Sequence, residues 1–178
     1  MLYNKKRYLP EFVYGSIDGV VTTFAIVAGS VGASLSSTII LILGFANLFA
    51  DGFSMSVASF LSAKSQTDLH LKHRDYLKVK KQNKNPLKTG IVTFISFVII
   101  GFIPLLSFVL AILIPSLKTN QFLYSFILTA IALLFVGAVK GFVVKKHPFQ
   151  AALETLIIGG IASLLAYGVG FFLKGLLG

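Results

Sequence analysis

The run FVYGSIDGVVTTFAIVAGSVGA, from Phe12 to Ala33, carries a single ionisable acid, Asp18, among apolar, small and hydroxylated residues. A bilayer core of about 30 Å needs about 20 largely apolar residues per helical crossing, and this run meets that length. Four further segments meet it too: Thr38 to Ala63, Ile91 to Ile114, Phe122 to Val144 and Ala151 to Leu173. The expected fold class is therefore an all-α integral membrane protein of five transmembrane helices, one membrane domain over residues 1–178. Breaks separate the segments at Gly32 to Ser37, Lys64 to Lys88, Pro115 to Gln121 and Lys145 to Pro148. Pro104, inside the third segment, should kink that helix rather than end it, because neighbouring helices can satisfy the freed backbone group.

Composition agrees with lipid as the solvent. Hydrophobic residues make up 56% of the chain and charged ones 12%, whereas a soluble domain carries roughly a quarter of its residues as charges. Mean hydropathy is +0.87. The first apolar run follows Lys5, Lys6 and Arg7 without a small-residue cleavage pattern, so it reads as a retained helix and not a signal peptide. With no cysteine, disulfides, thiolate metal sites and thiol nucleophiles are excluded.

The net charge of +10 does not point to nucleic acid, because the basic residues follow membrane topology. With the N-terminus in the cytoplasm, 14 of the 16 Lys and Arg residues fall on the cytoplasmic side. Only Lys118 and Lys174 fall on the other, and five crossings put the C-terminus outside or in a lumen. The basic linker, 64–88, reads as a helical extension of the second crossing that unwinds before Pro86. Its Lys and Arg residues would be drawn to anionic lipid headgroups, each contributing about 1 kcal/mol near the surface.

Chemistry is sought where polarity is expensive. An ionisable side chain deep in the bilayer costs about 2.5 to 3.5 kcal/mol even on the gentler insertion scale, so it normally faces a bundle interior or a polar path. Asp18 in the first segment and Asp51 in the second are such residues. Helical spacing extends each into a stripe: Asp18 with Thr22, and Asn47, Asp51 and Met55 at i, i+4 and i+8, with Ser54 and Ser62 close to the same line. Carboxylate, amide, hydroxyl and thioether groups could replace part of the water shell of a cation. A thioether is of little use to Mg²⁺ or Ca²⁺ and favours a borderline transition metal such as Fe²⁺, although methionine serves more often as adaptable packing.

Bland readings stand beside these. Asp18 could cap its helix or pair with Lys5, Lys6 or Arg7, and Glu154 reads as an interfacial partner of Lys145 and Lys146. His70 and His73 share a face if the linker is helical, but the surrounding Lys and Arg oppose cation capture, so they read as solvated or headgroup-facing. Gly15 and Gly19, Gly137 and Gly141, and Gly159-Gly160 mark places where helices can approach closely. No P-loop or constellation for hydrolytic or nucleophilic catalysis is present, and an enzyme is not expected.

The stretches 16–24, SIDGVVTTF, and 46–55, ANLFADGFSM, followed by Ser62-Ala63-Lys64-Ser65, resemble the signatures of the vacuolar iron transporter family. Later segments agree through Gly101-Phe102-Ile103-Pro104, Leu134-Phe135-Val136-Gly137 and Ala166-Tyr167-Gly168-Val169-Gly170. The resemblance implies a homodimer that carries Fe²⁺, and often Mn²⁺, out of the cytoplasm in exchange for protons. The ion is then substrate, with no cofactor. It also implies a path at the dimer interface lined by Asp18, which would bind the ion or a proton, and by Met55, a soft contact.

Larger members of that family insert a glutamate-rich cytoplasmic metal-binding domain between the second and third helices. Here the interval is short and basic, with Gln66 and Asn47 at positions where members carry acids. The expected location is the plasma membrane of a prokaryote or the vacuolar membrane of a eukaryote. The alternatives are a carrier of another cation and a membrane assembly or accessory subunit that transports nothing.

Overall fold

A computed structural model describes residues 7–72 and 84–177. The described residues form six α-helices and no strand: α1 Leu9–Gly32, α2 Ser37–Lys72, α3 Pro86–Gly101, α4 Ile103–Leu113, then a 3₁₀ turn Pro115–Asn120, α5 Gln121–Val144 and α6 Pro148–Leu177. α1, α2, α5 and α6 are each long and apolar enough to cross a membrane, and α3 and α4 pass that test together, bent by 48° at their junction.

Local chemistry sets these boundaries. α1 has Pro10 and Glu11 in its first turn, where a missing N–H is harmless and a negative charge complements the helix dipole. Ser34, in the left-handed region at φ 56°, reverses the chain towards α2. α3 begins with Pro86 after Asn85, whose Oδ1 accepts from the Lys88 N–H at 3.2 Å. The bend follows from Pro104, which has no N–H to offer the Ile100 carbonyl. The buried Ser125 hydroxyl donates to the Pro104 carbonyl at 2.6 Å and ties the bend to α5.

Contacts at the two ends decide that α3 and α4 make one crossing and not a re-entrant loop. The start of α3 meets the start of α1 and the later part of α2, through Asn85 N–H to the Tyr8 hydroxyl at 3.1 Å and Ser56 Oγ to the Gly90 carbonyl at 2.9 Å. α4 packs Leu105 and Phe108 against Phe24 and Val27 of α1 and Ile40 at the beginning of α2. The pair therefore runs the full height of the bundle, giving five crossings.

α1 is the axis and touches every other helix. A Cβ on Gly19 would stand 2.5 Å from the Phe97 carbonyl oxygen of α3, so the two backbones meet where no side chain could intervene. Phe24 stacks on Phe122 of α5 with ring centroids 6.2 Å apart. Outer faces are apolar and open: Phe49, Phe53 and Leu61 on α2, and Leu164, Phe171 and Phe172 on α6, are all more than half exposed. In lipid such faces carry no penalty.

Two expectations gain detail. The second crossing continues as helix to Lys72, nine residues beyond Ala63. Glu154 pairs with Lys140 at 3.3 Å and not with Lys145 or Lys146. The reason is the tight reversal after Lys145, at φ 57°, which folds α6 back along α5 and brings Glu154 level with the preceding turn.

Candidate metal path between the first two helices

α1 and α2 pack together, and each contributes one acid. Asp18 and Asp51 are both half-buried. They stand on two helices that pack together, whereas periodicity assigns them only to separate stripes. An acid inside an apolar span is costly unless it faces a polar path or meets a positive charge.

The rest of the stripe on α2 occupies a boundary. Ile40, Gly44, Leu48 and Gly52 form its buried line, with Gly44 against Leu105, Leu48 near Gly101, and Gly52 against Phe94 and Phe97. Asn47, Asp51 and Met55 lie one position back from that line and are half-buried, while Phe49, Phe53 and Val57 on the outer face are exposed. The polar stripe therefore runs along the edge where packed protein gives way to open surface. The Asn47 amide nitrogen is buried and donates to no group. Ser54 and Ser62 face outward and are exposed.

Thr22 takes a different part from the one its spacing implies. Its hydroxyl donates to the backbone carbonyl of Asp18 at 2.8 Å, so the proton is committed and only oxygen lone pairs remain. The Asp18 carboxylate receives nothing from Thr22, and the hydroxyl remains usable as an acceptor-type ligand.

Among the described residues no three of His, Asp and Glu gather into a metal cage. A hard or borderline cation takes six or so ligands, and α1 and α2 of one chain offer two carboxylates, an amide, a hydroxyl and a thioether. The pairing of His70 and His73 lies outside what is described: His73 is not among the described residues, and only the backbone of His70 is.

Glu11 is a residue that sequence reasoning passes over. It lies seven residues before Asp18 on α1, hence on the same face, and its carboxylate is salt-bridged to Lys84 at 2.6 Å. Its second oxygen, Oε2, is buried and accepts no hydrogen bond. The i, i+7 spacing of two acids is the signal that marks it.

Comparison with known proteins adds an independent line. The sequence model of the VIT family matches residues 9–76 and 69–171, so the match is divided within the basic linker. The vacuolar iron transporter of Plasmodium berghei (strain Anka) is 28% identical, covering 95% of this chain and 83% of that protein. That of Centaurea cyanus is also 28% identical, over 89% of this chain and 85% of that protein. Vacuolar iron transporter 1 of Arabidopsis thaliana is 27% identical over 88% and 82%. The Plasmodium alignment runs to 227 positions, more than this chain's 178 residues, so that relative carries residues with no counterpart here.

Proposed function

The chain belongs to the VIT family, integral membrane transporters of metal ions and not enzymes, and we propose that it moves Fe²⁺, and Mn²⁺ by the same route, out of the cytoplasm in exchange for protons. In a eukaryotic host the membrane would be that of the vacuole. The observation that carries the reading is that two half-buried acids, Asp18 and Asp51, stand on two helices that pack together inside apolar spans. Such a pair is costly unless a positive charge comes and goes there. A divalent cation and a proton compete for the same oxygens, which is the requirement for exchange of one against the other.

Met55, one turn beyond Asp51, supplies a soft contact suited to Fe²⁺ more than to Mg²⁺ or Ca²⁺. The half-buried placement of Asn47, Asp51 and Met55 beside an open apolar face favours a homodimer, in which a second copy of the stripe would complete the ligand set. The inward orientation of the N-terminus is supported by the positions of Lys64, Lys84, Lys88, Lys140, Lys145 and Lys146 at one end of the bundle, against Lys118 and Lys174 at the other. At that basic end the linker is expected to meet anionic headgroups.

The test is uptake of Fe²⁺ and of Mn²⁺ into proteoliposomes, with and without an imposed pH gradient. Gradient-dependent uptake of both is expected. Absence of uptake of either ion would favour a carrier of another cation or a non-transporting assembly subunit.

A further inference from the structure

The linker-side end of the bundle holds an ion pair that neither the fold nor the Asp18–Asp51 site requires. Lys84 Nζ stands 2.6 Å from Glu11 Oε1, with about a third of the lysine side chain exposed and the glutamate side chain largely covered. Glu11 Oε2 is buried and without a donor, so the carboxylate is only half satisfied. A buried carboxylate oxygen left unpaired is unfavourable, and one ammonium at the other oxygen relieves only part of that cost. Along α1 the next acid on this face is Asp18, about 10 Å further in at 1.5 Å per residue.

The neighbouring residue is anchored separately. Asn85 N–H donates to the Tyr8 hydroxyl at 3.1 Å, and Asn85 Oδ1 accepts from Lys88 N–H at 3.2 Å. The Lys84 side chain can therefore leave Glu11 without releasing the start of α3 from the start of α1. Lysine is a flexible point charge suited to such movement.

We propose that Glu11 is the entry carboxylate for the cation on the linker side, and that Lys84 is a tethered competitor that occupies it until a divalent ion displaces the ammonium. A divalent ion carries twice the charge to the same carboxylate and can use Oε2 as well as Oε1, so it wins above a threshold concentration. The latch sets that threshold. A glutamate that served only the dipole of α1 would need no lysine. The inference rests on the metal-transport reading for its purpose, but the latch itself is tested by binding.

The experiment measures Mn²⁺ binding to the full chain in lipid nanodiscs, from the electron paramagnetic resonance signal of free Mn²⁺, alongside Mn²⁺ uptake by proteoliposomes. Lys84→Gln should tighten binding about fivefold, the scale on which a partly exposed ion pair acts. Lys84→Arg, which keeps the competitor, should bind as the parent does. In the Glu11→Gln background, Lys84→Gln should give no gain. Lys88→Gln, which removes the same charge one turn away from an exposed residue, should also give none.

A gain that persists without Glu11 overturns the proposal, as does a Lys84→Gln chain that melts at lower temperature with unchanged Mn²⁺ affinity. Tighter binding by Lys84→Gln in a chain that takes up no metal upholds the latch and removes the transport reading. Uptake by the parent with no binding change in Lys84→Gln removes the latch alone.

Discussion

Replacing Asp18 by Asn keeps the shape of the side chain and deletes its charge, which separates a charge requirement from a packing one. Asp18→Asn should reduce metal uptake by on the order of 100-fold, since changes one shell away from a metal already cost about 10- to 100-fold, while the protein still reaches the membrane. Met55→Ala should shift preference from Fe²⁺ towards Mn²⁺, read as the ratio of uptake rates in one vesicle preparation, because the thioether is the only soft ligand on the stripe. Asp18 and Asp51 are legible in sequence because an acid within an apolar run is anomalous wherever the helices pack, and Met55 only through its spacing from Asp51 and the family resemblance. What is not legible is partnership. Periodicity leaves Thr22 beside Asp18, but the direction of its hydroxyl depends on the helix's own carbonyls. Glu11 and Lys84 are 73 residues apart, and no local pattern joins them.

At the scale of helices, the close approach of α1 and α3 is sensitive to a single atom. Alanine is the better helix former by about 1 kcal/mol. At Gly19, however, the added Cβ would stand 2.5 Å from a backbone carbonyl that cannot swing aside. Gly19→Ala is expected to destabilise by about 1 to 3 kcal/mol, the usual cost of overpacking, seen as a lower melting temperature in detergent. Gly160 meets nothing within 4 Å, so Gly160→Ala should stabilise by about 0.5 to 1 kcal/mol in the same assay. Sequence alone makes these two glycines equivalent members of small-residue patterns, and only the neighbour across the helix distinguishes them. The Pro104 bend, by contrast, is written in one residue's chemistry. Its 48° magnitude is not, because Ser125 and the packing of α4 set it.

For the whole molecule, hydropathy supplies the number of crossings, while the central place of α1 comes only from packing. The orientation can be checked directly because the chain has no cysteine to interfere. Lys118→Cys should react with a membrane-impermeant maleimide added to intact bacterial cells that carry the protein in the plasma membrane. Lys88→Cys should react only after permeabilisation, both positions being exposed at opposite ends of the bundle. The reverse pattern would put the N-terminus outside and turn the direction of export around.

The length of α2 has a mechanical consequence. Its 36 residues span about 54 Å at 1.5 Å per residue, against about 30 Å of hydrocarbon, so the last turns form a helical arm reaching beyond the hydrocarbon core. On such an arm angular phase changes faster than reach. Deleting two residues between Lys64 and Lys72 would shorten it by only about 3 Å but rotate whatever hangs from its tip by about 200°. A peripheral module spliced in there would face towards or away from the mouth of the protein according to residue count modulo the helical turn.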